Sequence, residues 1–593
     1  MIKFSASLAA LLATGLLAGC QPAQLKPGSS TLQYSDDAIE TASQTLSQAE
    51  DEYLQLQVAA HPYAARSSGL LQSLVLPDLS NEFRQQQQQQ LQQLKTSLQQ
   101  LEYDALPANR QLQARALQYR IGQQLEWHEC SQQWPALSAQ GSVLTQVLKL
   151  LTDYSQPTDI PSFHSYLREI EGAAAVIKQW QQQLQQQQKT LHTLSYSRDA
   201  LLRQLDRQLQ GYPFSDSSQP APLWSAIVSK LQALDVYPSS YEILQGKASS
   251  TLTNYLLPSL RSLYNQLNSM PTSTSLSWQQ QPNGDSCYRL QLAQLGSTEA
   301  PELLQEIAKS RLSALQQQLR TELALDPGQP LGSQLRAWLA SHQVAPIPLK
   351  PAVLDRLQNL NGQLPQRFAV LPQTPLVVLT SQDAAVQLPY YQPPQPSTQQ
   401  PGIYWTTAVE TSAHWRWPLD LYRASLPGKH LQYALAQENA ELPDFMKYPL
   451  HQGFEPGWLS IAAELANDLG GYESSAEHAW VLLDDMEQEL NLVLDIGIHL
   501  YQWNQEKAAG YCQVNSFLSD TACQQRAKAI MEAPGQFGWP AISKANLLEL
   551  IRQAQDNDDS AAAMASFYSS LLQQGDLPPT LYSQWLNLWQ EAY

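Results

Sequence analysis

Basic residues are scarce in this chain of 593: 35 Lys and Arg stand against 53 Asp and Glu, a formal net charge of −18 at pH 7. Nucleic acid is bound through clustered Lys and Arg that neutralise phosphates, so this balance excludes it as a partner and disfavours tight adhesion to anionic lipid headgroups. The acidity reads as solubility charge, with uncharged glutamine covering much of the remaining surface. Long apolar runs are missing too: after residue 20 none reaches the roughly 18 consecutive apolar residues of a membrane span. No CxxC occurs, which removes thiol–disulfide exchange and zinc-ribbon readings. The chain also lacks GxSxG, a P-loop, GxGxxG opening a helix, and HExxH, so the common hydrolase, nucleotide-binding and zinc-peptidase signatures are absent in their ordinary form. Nothing repeats at a fixed period, which argues against a solenoid.

What is present begins with an export signal. Lys3 supplies a positive start, a mostly apolar run from Ala6 to Leu17 follows, and Leu17-Ala18-Gly19-Cys20 forms a cleavage box ending in cysteine. Small residues at 18 and 19 fit a signal peptidase cleft, and the Cys20 thiol is the atom that takes a diacylglycerol. Residues 1–19 are read as the signal peptide and 20–36 as a polar tether to the membrane. Gln21, where Asp would retain the protein at the inner membrane, favours the outer membrane facing the periplasm of a bacterial envelope. The other four cysteines, Cys130, Cys287, Cys512 and Cys523, suit an oxidising compartment. Cys512 and Cys523 are close in sequence and are the preferred pair, leaving Cys130 with Cys287, although three pairings are open on sequence alone.

On length the chain holds about two to four domains, and its texture divides it at about 280. Residues 37–280 are rich in Leu and Gln with helical periodicity. In the stretch around the glutamine run 85–90, Leu91, Leu94, Leu98 and Leu101 recur at spacings of three and four, which places them on one helical face and turns most of the glutamines of that run, and of the run 185–188, to solvent. Residues 281–593 are helical again except between about 340 and 410. There proline is dense and three β-prone runs appear, RFAVLP at 367–372, PLVVLTS at 375–381 and GIYWTTA at 402–408. The expected fold is mainly α with a small β-sheet.

Residues 420–432, DLYRASLPGKHLQ, carry the frame of a hydrolase helix without its metal-binding groups. A zinc site needs imidazoles or carboxylates that converge on one point and a carboxylate base beside the activated water. PGKHLQ, Pro427 to Gln432, resembles the His-Glu-x-x-Pro-Gly-His-His-Leu-Gln signature of the family catalogued as bacterial domain of unknown function 885, a zincin-like group. In that register the family's metal-binding His falls on Arg423, its general-base Glu on Ala424 and the first His of the pair on Lys429; His430 alone is kept. Neither Arg nor Lys, protonated at neutral pH, can offer a lone pair. A second family motif survives as EPGWLSIAAEL with Gly457 and Trp458 in place, Pro456 where the acidic ligand belongs and Glu455 one residue out of register. The family's downstream Tyr and Glu fall on Ile461 and Ala463, with Glu464 adjacent. A third is intact as DIGIHLYQW, with Asp495, Gly497, His499 and Trp503. A fourth keeps Pro534, Gly535 and Gln536 but places Ala529 and Ile530, then Pro540 and Ala541, where the family carries Arg-Tyr and Tyr-Lys. Weaker echoes lie at Pro282 to Tyr288, Tyr390 to Trp405 and near both ends of the mature chain.

The resemblance implies a zincin-like α+β helical fold whose cleft, lined by Arg423, Ala424, Lys429, His430, Glu455, Pro456, Trp458, Asp495, His499 and Gln536, is vestigial. Residues that shape backbone or pack survive, while those that bind metal or move protons are replaced. Asp495 and His499, four apart, share a helical face and can hydrogen-bond, either as pocket residues or as a buried pair; the second reading is favoured. Arg423 and Lys429 either neutralise carboxylates left behind by a lost dication, such as Glu455 or Asp495, or point to solvent. A metal site rebuilt from His430, His451, His499 and Glu455 is disfavoured by their spacing. The expected protein is therefore a lipid-anchored, zincin-like pseudoenzyme without cofactor or metal, joined to the membrane through Cys20 and binding a peptide or an envelope protein through the former cleft. Two alternatives stay open at this point: a metal-dependent peptidase with displaced ligands, and a structural envelope lipoprotein.

Overall fold

A computed structural model describes residues 34–592 except 72–74, 133, 135–136, 138–141, 188–192, 217–218, 343–345, 382–388, 396–398, 411–415 and 449–452. The export signal, Cys20, nearly all of the tether, Gln188 and His451 lie outside the described residues. Helices dominate, and several begin on a side-chain cap. Asp36–Ala60 starts where the Ser35 hydroxyl accepts from the Ala38 N–H, and Asn81–Gln99 where Ser80 accepts from Phe83. Such caps satisfy donors that the first helical turn leaves unpaired. In Asn81–Gln99 the buried residues are Leu94 and Leu98, while four of the six glutamines at 85–90 are exposed, as the leucine spacing predicts. Leu101 lies just past the helix end.

The cores do not follow chain order. Apolar faces of Asp36–Ala60, Asn81–Gln99 and Ala108–Ser131 share one core with helices between Leu349 and Trp589. A second core surrounds Ser475–His499, which is buried on nearly all sides from Ala479 onward. A helix covered all round has no solvent face and serves as an internal spine. The buried residues of the third core all lie between Leu137 and Met270, with Leu76 and Leu79 packed against them from outside that segment. Cys130 is bonded to Cys287, with Cα atoms 5.4 Å apart, and Cys512 to Cys523 at 5.7 Å, the preferred pairing. The first bridge ties Ala108–Ser131 to Gly284–Gln294 and the second joins neighbouring helices Gln505–Asn515 and Asp520–Glu532.

The strands, in chain order, are β1 (Ile347–Pro348), β2 (Leu376–Thr380), β3 (Tyr390–Gln392), β4 (Gly402–Thr406) and β5 (Val409–Glu410). One sheet has the order β2-β4-β3, with β2 parallel to β4 (Val378 opposite Tyr404) and β3 antiparallel to it; β1 and β5 form a separate antiparallel pair. Two of the three expected strands are therefore present, but 367–372 is not a strand. Phe368 is drawn into the core against Trp458 and Tyr568, and the backbone N–H groups of Ala369 and Val370 donate to Ala565 and Ser569 of a helix, so the run has no sheet partner. The third strand comes instead from the Tyr390 segment. Among the described residues, no helix is long and apolar enough to cross a membrane.

Candidate functional site

Residues 420–432 do not form one helix. Trp417–Ala424 stops, the chain turns through Ser425 to Gly428 with Leu426–Pro427 in cis, and Lys429–Glu438 starts anew. Proline removes a helical donor and disfavours the α conformation in the residue before it. The Trp458 indole lies under this turn, fully buried, with its Nε1–H directed to the Gly428 carbonyl at 3.4 Å. Trp458 thus survives as a packing residue.

Around the turn, two of the positions that the resemblance assigns to metal ligands are occupied by ion-paired side chains. Arg423 Nη1 donates to Asp484 at 2.5 Å, and Arg416 reaches the same carboxylate at 3.2 Å and Asp420 at 3.3 Å. Gln488 adds an amide donor to Asp484 at 2.6 Å. Burial pushes the Asp484 carboxyl up, but Arg423 and Arg416 more than offset it and hold the group below the usual carboxylate range. Lys429 pairs with Glu455 at 2.9 Å, and the Tyr433 hydroxyl donates to that carboxylate at 2.8 Å. The two cations therefore do face carboxylates, Glu455 as expected and Asp484 in place of Asp495. Pro456 sits in the first turn of Glu455–Asp468, Ala424 closes its helix half-buried, and Ala463 is packed in the second core. Glu464, adjacent to the lost acidic position, is engaged by Lys544 at 2.6 Å, as is Asp485 at 2.6 Å. Burial lifts Asp485 to about 6 while Lys544 pulls the other way.

His430 is 2% exposed and both ring nitrogens are committed. Nε2–H donates to the Thr374 carbonyl at 3.1 Å, so Nδ1 accepts from the Tyr391 hydroxyl at 3.0 Å. Burial lowers its pKa to about 4, which keeps the ring neutral. Asp495 and His499 are fully buried on Ser475–His499, but they do not bond each other. Asp495 accepts from the Tyr288 hydroxyl at 2.6 Å and the Gly535 N–H at 2.8 Å, while His499 Nε2 donates to the Ile530 carbonyl at 2.9 Å. Other elements supply the partners, so the expected pair is replaced by two separate clamps in the second core. Burial raises Asp495 to about 7 and lowers His499 to about 4. Gly535 takes the left-handed conformation (φ +77°) that lets its N–H face Asp495, which gives the retained Pro-Gly-Gln a backbone role.

Apart from Gln536, the residues of the expected cleft thus fall into two groups. Arg423, Lys429, His430, Glu455, Pro456 and Trp458 gather at the turn, while Asp495 and His499 belong to the other core. No group of three His, Cys, Asp or Glu able to hold a metal ion occurs among the described residues. Of the four residues considered for a rebuilt site, His430 has both ring nitrogens committed, Glu455 is paired with Lys429, His499 lies in the other core with Nε2 bonded and Nδ1 unpartnered among the described residues, and His451 lies outside them. Among the described residues, those at the positions the resemblance assigns to zinc ligands do not fit a zinc ion.

Open space lies next door. A cavity of about 720 Å³ is lined by Tyr53, Gln57, Gln87, Arg120, Gln124 and Trp127, among others, and its far wall includes Gln536. Arg120 is ion-paired with buried Asp576, and Asp576 stands beside Glu455 in a small pocket behind it. This pair forms part of the wall between the cavity and the turn. Sequence reasoning missed Asp484, Gln488, Lys544 and the cavity: an acidic or amide residue in an amphipathic pattern gives no signal of its own, and glutamine runs read as solvent-facing.

Fold and site together define a mainly helical protein with a minor sheet, carrying an ion-paired, closed turn beside an open polar cavity. The chain belongs to a family of bacterial proteins of unknown function, DUF885, whose profile matches residues 62–584. A structure of a lipoprotein candidate from Colwellia psychrerythraea is similar with a TM-score of 0.79 at 16% identity, covering 94% of this chain and 100% of that one. Another, a lipoprotein candidate of unknown function from Shewanella oneidensis, is similar with a TM-score of 0.68 at 14% identity, covering 92% and 99%. At such identities the likeness shows the fold. No curated protein matches the chain.

Proposed function

We propose that this is an exported, lipid-anchored protein of the bacterial envelope, of zincin-like ancestry, that no longer carries out metal-dependent hydrolysis and acts by holding an envelope component, a peptide or another molecule, in the cleft beside the old metal positions. The observation that carries the reading is the pairing of Arg423 with Asp484 and of Lys429 with Glu455. Two cations stand where ligands would be needed, and each is already neutralised by a carboxylate, so an entering dication would meet repulsion and spent donors. The Leu17-Ala18-Gly19-Cys20 box supports lipidation, with which the description of both similar structures as lipoprotein candidates agrees, and Gln21 supports transport to the outer membrane, periplasmic side.

Two measurements test this. Elemental analysis of protein purified without chelators is expected to find zinc well below one equivalent, with no cleavage of peptide libraries; stoichiometric zinc together with metal-dependent cleavage would overturn the reading. Labelling of cells with an alkyne fatty acid is expected to mark the wild-type chain and not Cys20→Ala, and equal labelling of both would remove the anchor.

A further inference from the structure

We propose that the cavity walled by glutamines binds a short neutral oligosaccharide. The inference rests on the non-catalytic binding role above and names its ligand class. The cavity, about 720 Å³, falls within the roughly 300–1,000 Å³ typical of small-ligand sites, and it is unusually rich in carboxamides, nine glutamines among its lining residues.

Several of these amides are held in place from behind. Gln87 donates to the Leu56 carbonyl at 3.2 Å, Gln183 to Leu79 at 2.7 Å and Gln294 to Gln123 at 3.0 Å. Gln57 and Gln124 exchange reciprocal amide bonds at 2.8 and 2.7 Å. In Gln87, Gln183 and Gln294 anchoring one N–H fixes the plane of the carboxamide and leaves its oxygen and second N–H to face a ligand, while the Gln57–Gln124 pair stiffens the wall beside them, so part of the ordering cost is met before binding. A planar amide offers a donor and an acceptor side by side, which matches neighbouring hydroxyls of a sugar ring, each able to donate and accept.

The charges in the wall are few. Arg120 is neutralised by Asp576 behind it, while Arg84, bonded to the neutral Asn81 amide, and Asp78, which accepts from Gln179 at 3.0 Å and from the Ser80 N–H at 2.9 Å, keep charges of opposite sign. An anionic ligand therefore meets one cation and one carboxylate and not a cluster of cations, in a chain whose net charge is −18. Apolar surface is also provided. Trp127, half-buried, packs edge-on to Trp278 with ring centroids 6.0 Å apart and lines the cavity together with Phe83. The C–H face of a pyranose is apolar and packs on such a ring, while its rim hydroxyls reach the amides.

A peptide fits less well. Extended peptides are commonly captured by adding a strand to a sheet edge, but the residues that line this cavity come from helices and their connections, and none belongs to a strand.

The experiment is calorimetric titration of the full lipidated chain, in a detergent without a sugar headgroup, with maltotriose, cellotriose, tri-N-acetylchitotriose and, as comparator, trialanine. Saturable binding of at least one trisaccharide is expected. The variant Gln87→Ala/Gln294→Ala should bind it about tenfold more weakly, which corresponds to ~1.4 kcal/mol. Its melting should be little changed, because both amides reach carbonyls that lie within helices. Trp127→Phe, which keeps an aromatic ring against Trp278, should also weaken binding. The inference is overturned if no trisaccharide binds at millimolar concentration, or if the variants bind with unchanged affinity. Binding of trialanine alone overturns it while leaving the binding role standing. Zinc-dependent cleavage of trialanine overturns both.

Discussion

Removing Arg423 tests the physical basis of the closed site. Asp484 has a side chain only 12% exposed and depends on three donors, Arg423 at 2.5 Å, Arg416 at 3.2 Å and Gln488 at 2.6 Å. Breaking a buried ion pair by deleting one partner costs about 3–5 kcal/mol. Here Arg416 and Gln488 remain and Arg423 itself is 20% exposed, so Arg423→Met should cost less, about 2 kcal/mol. The sign of the pH dependence follows from the carboxylate. In the wild type the folded pKa of Asp484 is depressed, so its stabilisation is present above the ordinary carboxylate range and is lost only in acid. In Arg423→Met burial loses its main counterweight and raises that pKa, so the penalty grows as pH rises through the ordinary range and then levels off. Urea unfolding followed by circular dichroism at neutral and mildly acid pH reads this directly: a gap between the two proteins that is widest at neutrality and narrows in acid. Adding Asp484→Asn to the variant should restore most of the loss and flatten its pH dependence. The reasoning fails if Arg423→Met lies within about 0.5 kcal/mol of wild type at pH 7, the range of an indifferent surface change, or if the gap ignores pH.

Three further outcomes are expected. His430 is held at about 4, below its unfolded 6.5, so its contribution is fully present above that value and is lost as pH falls; relative to His430→Gln, wild type should lose roughly 3 kcal/mol between pH 7 and 4, and a constant difference in unfolding titrations would refute the buried neutral ring. The Cys130–Cys287 bridge spans 157 residues and Cys512–Cys523 spans 11, so in the chain-entropy picture the paired Ala substitutions should cost about 5 and about 3 kcal/mol respectively; the reverse order in calorimetry would count against that picture. At Gly428 an added Cβ would stand 2.0 Å from the Arg423 carbonyl, whereas at Gly510 nothing lies within 4 Å. Gly428→Ala should therefore destabilise by about 4 kcal/mol or more, while Gly510→Ala, inside Gln505–Asn515, should stabilise by about 0.5–1 kcal/mol; similar melting of the two variants would contradict the close packing of the turn.

Much of the site was legible because its survivors act through backbone or bulk. Pro427 and Gly428 mark the turn, Trp458 fills the space beneath it, and Gly535 needs a conformation that other residues rarely adopt. That Arg423, Ala424 and Lys429 offer no lone pair to a metal was equally plain, since charge type is a property of the residue and not of its neighbours. Misreadings arose where a residue's partner is remote. Asp495 and His499 share a helical face, yet Tyr288, Gly535 and Ile530 bind them from other elements. RFAVLP has the composition of a strand, but Phe368 finds a core and the backbone beside it finds a helix.

The sequence by itself determined the helical character, the leucine faces, two of the strands and the family frame, because period, residue volume and charge are local. Only the tertiary structure decided that Arg423 meets Asp484, that Lys429 meets Glu455, and that glutamines far apart in the chain, from Gln57 to Gln536, surround one cavity. Those outcomes depend on which elements pack together, and burial then sets what each polar group is worth: an amide or carboxylate that would be idle in water becomes, once enclosed, a group that must find its partner.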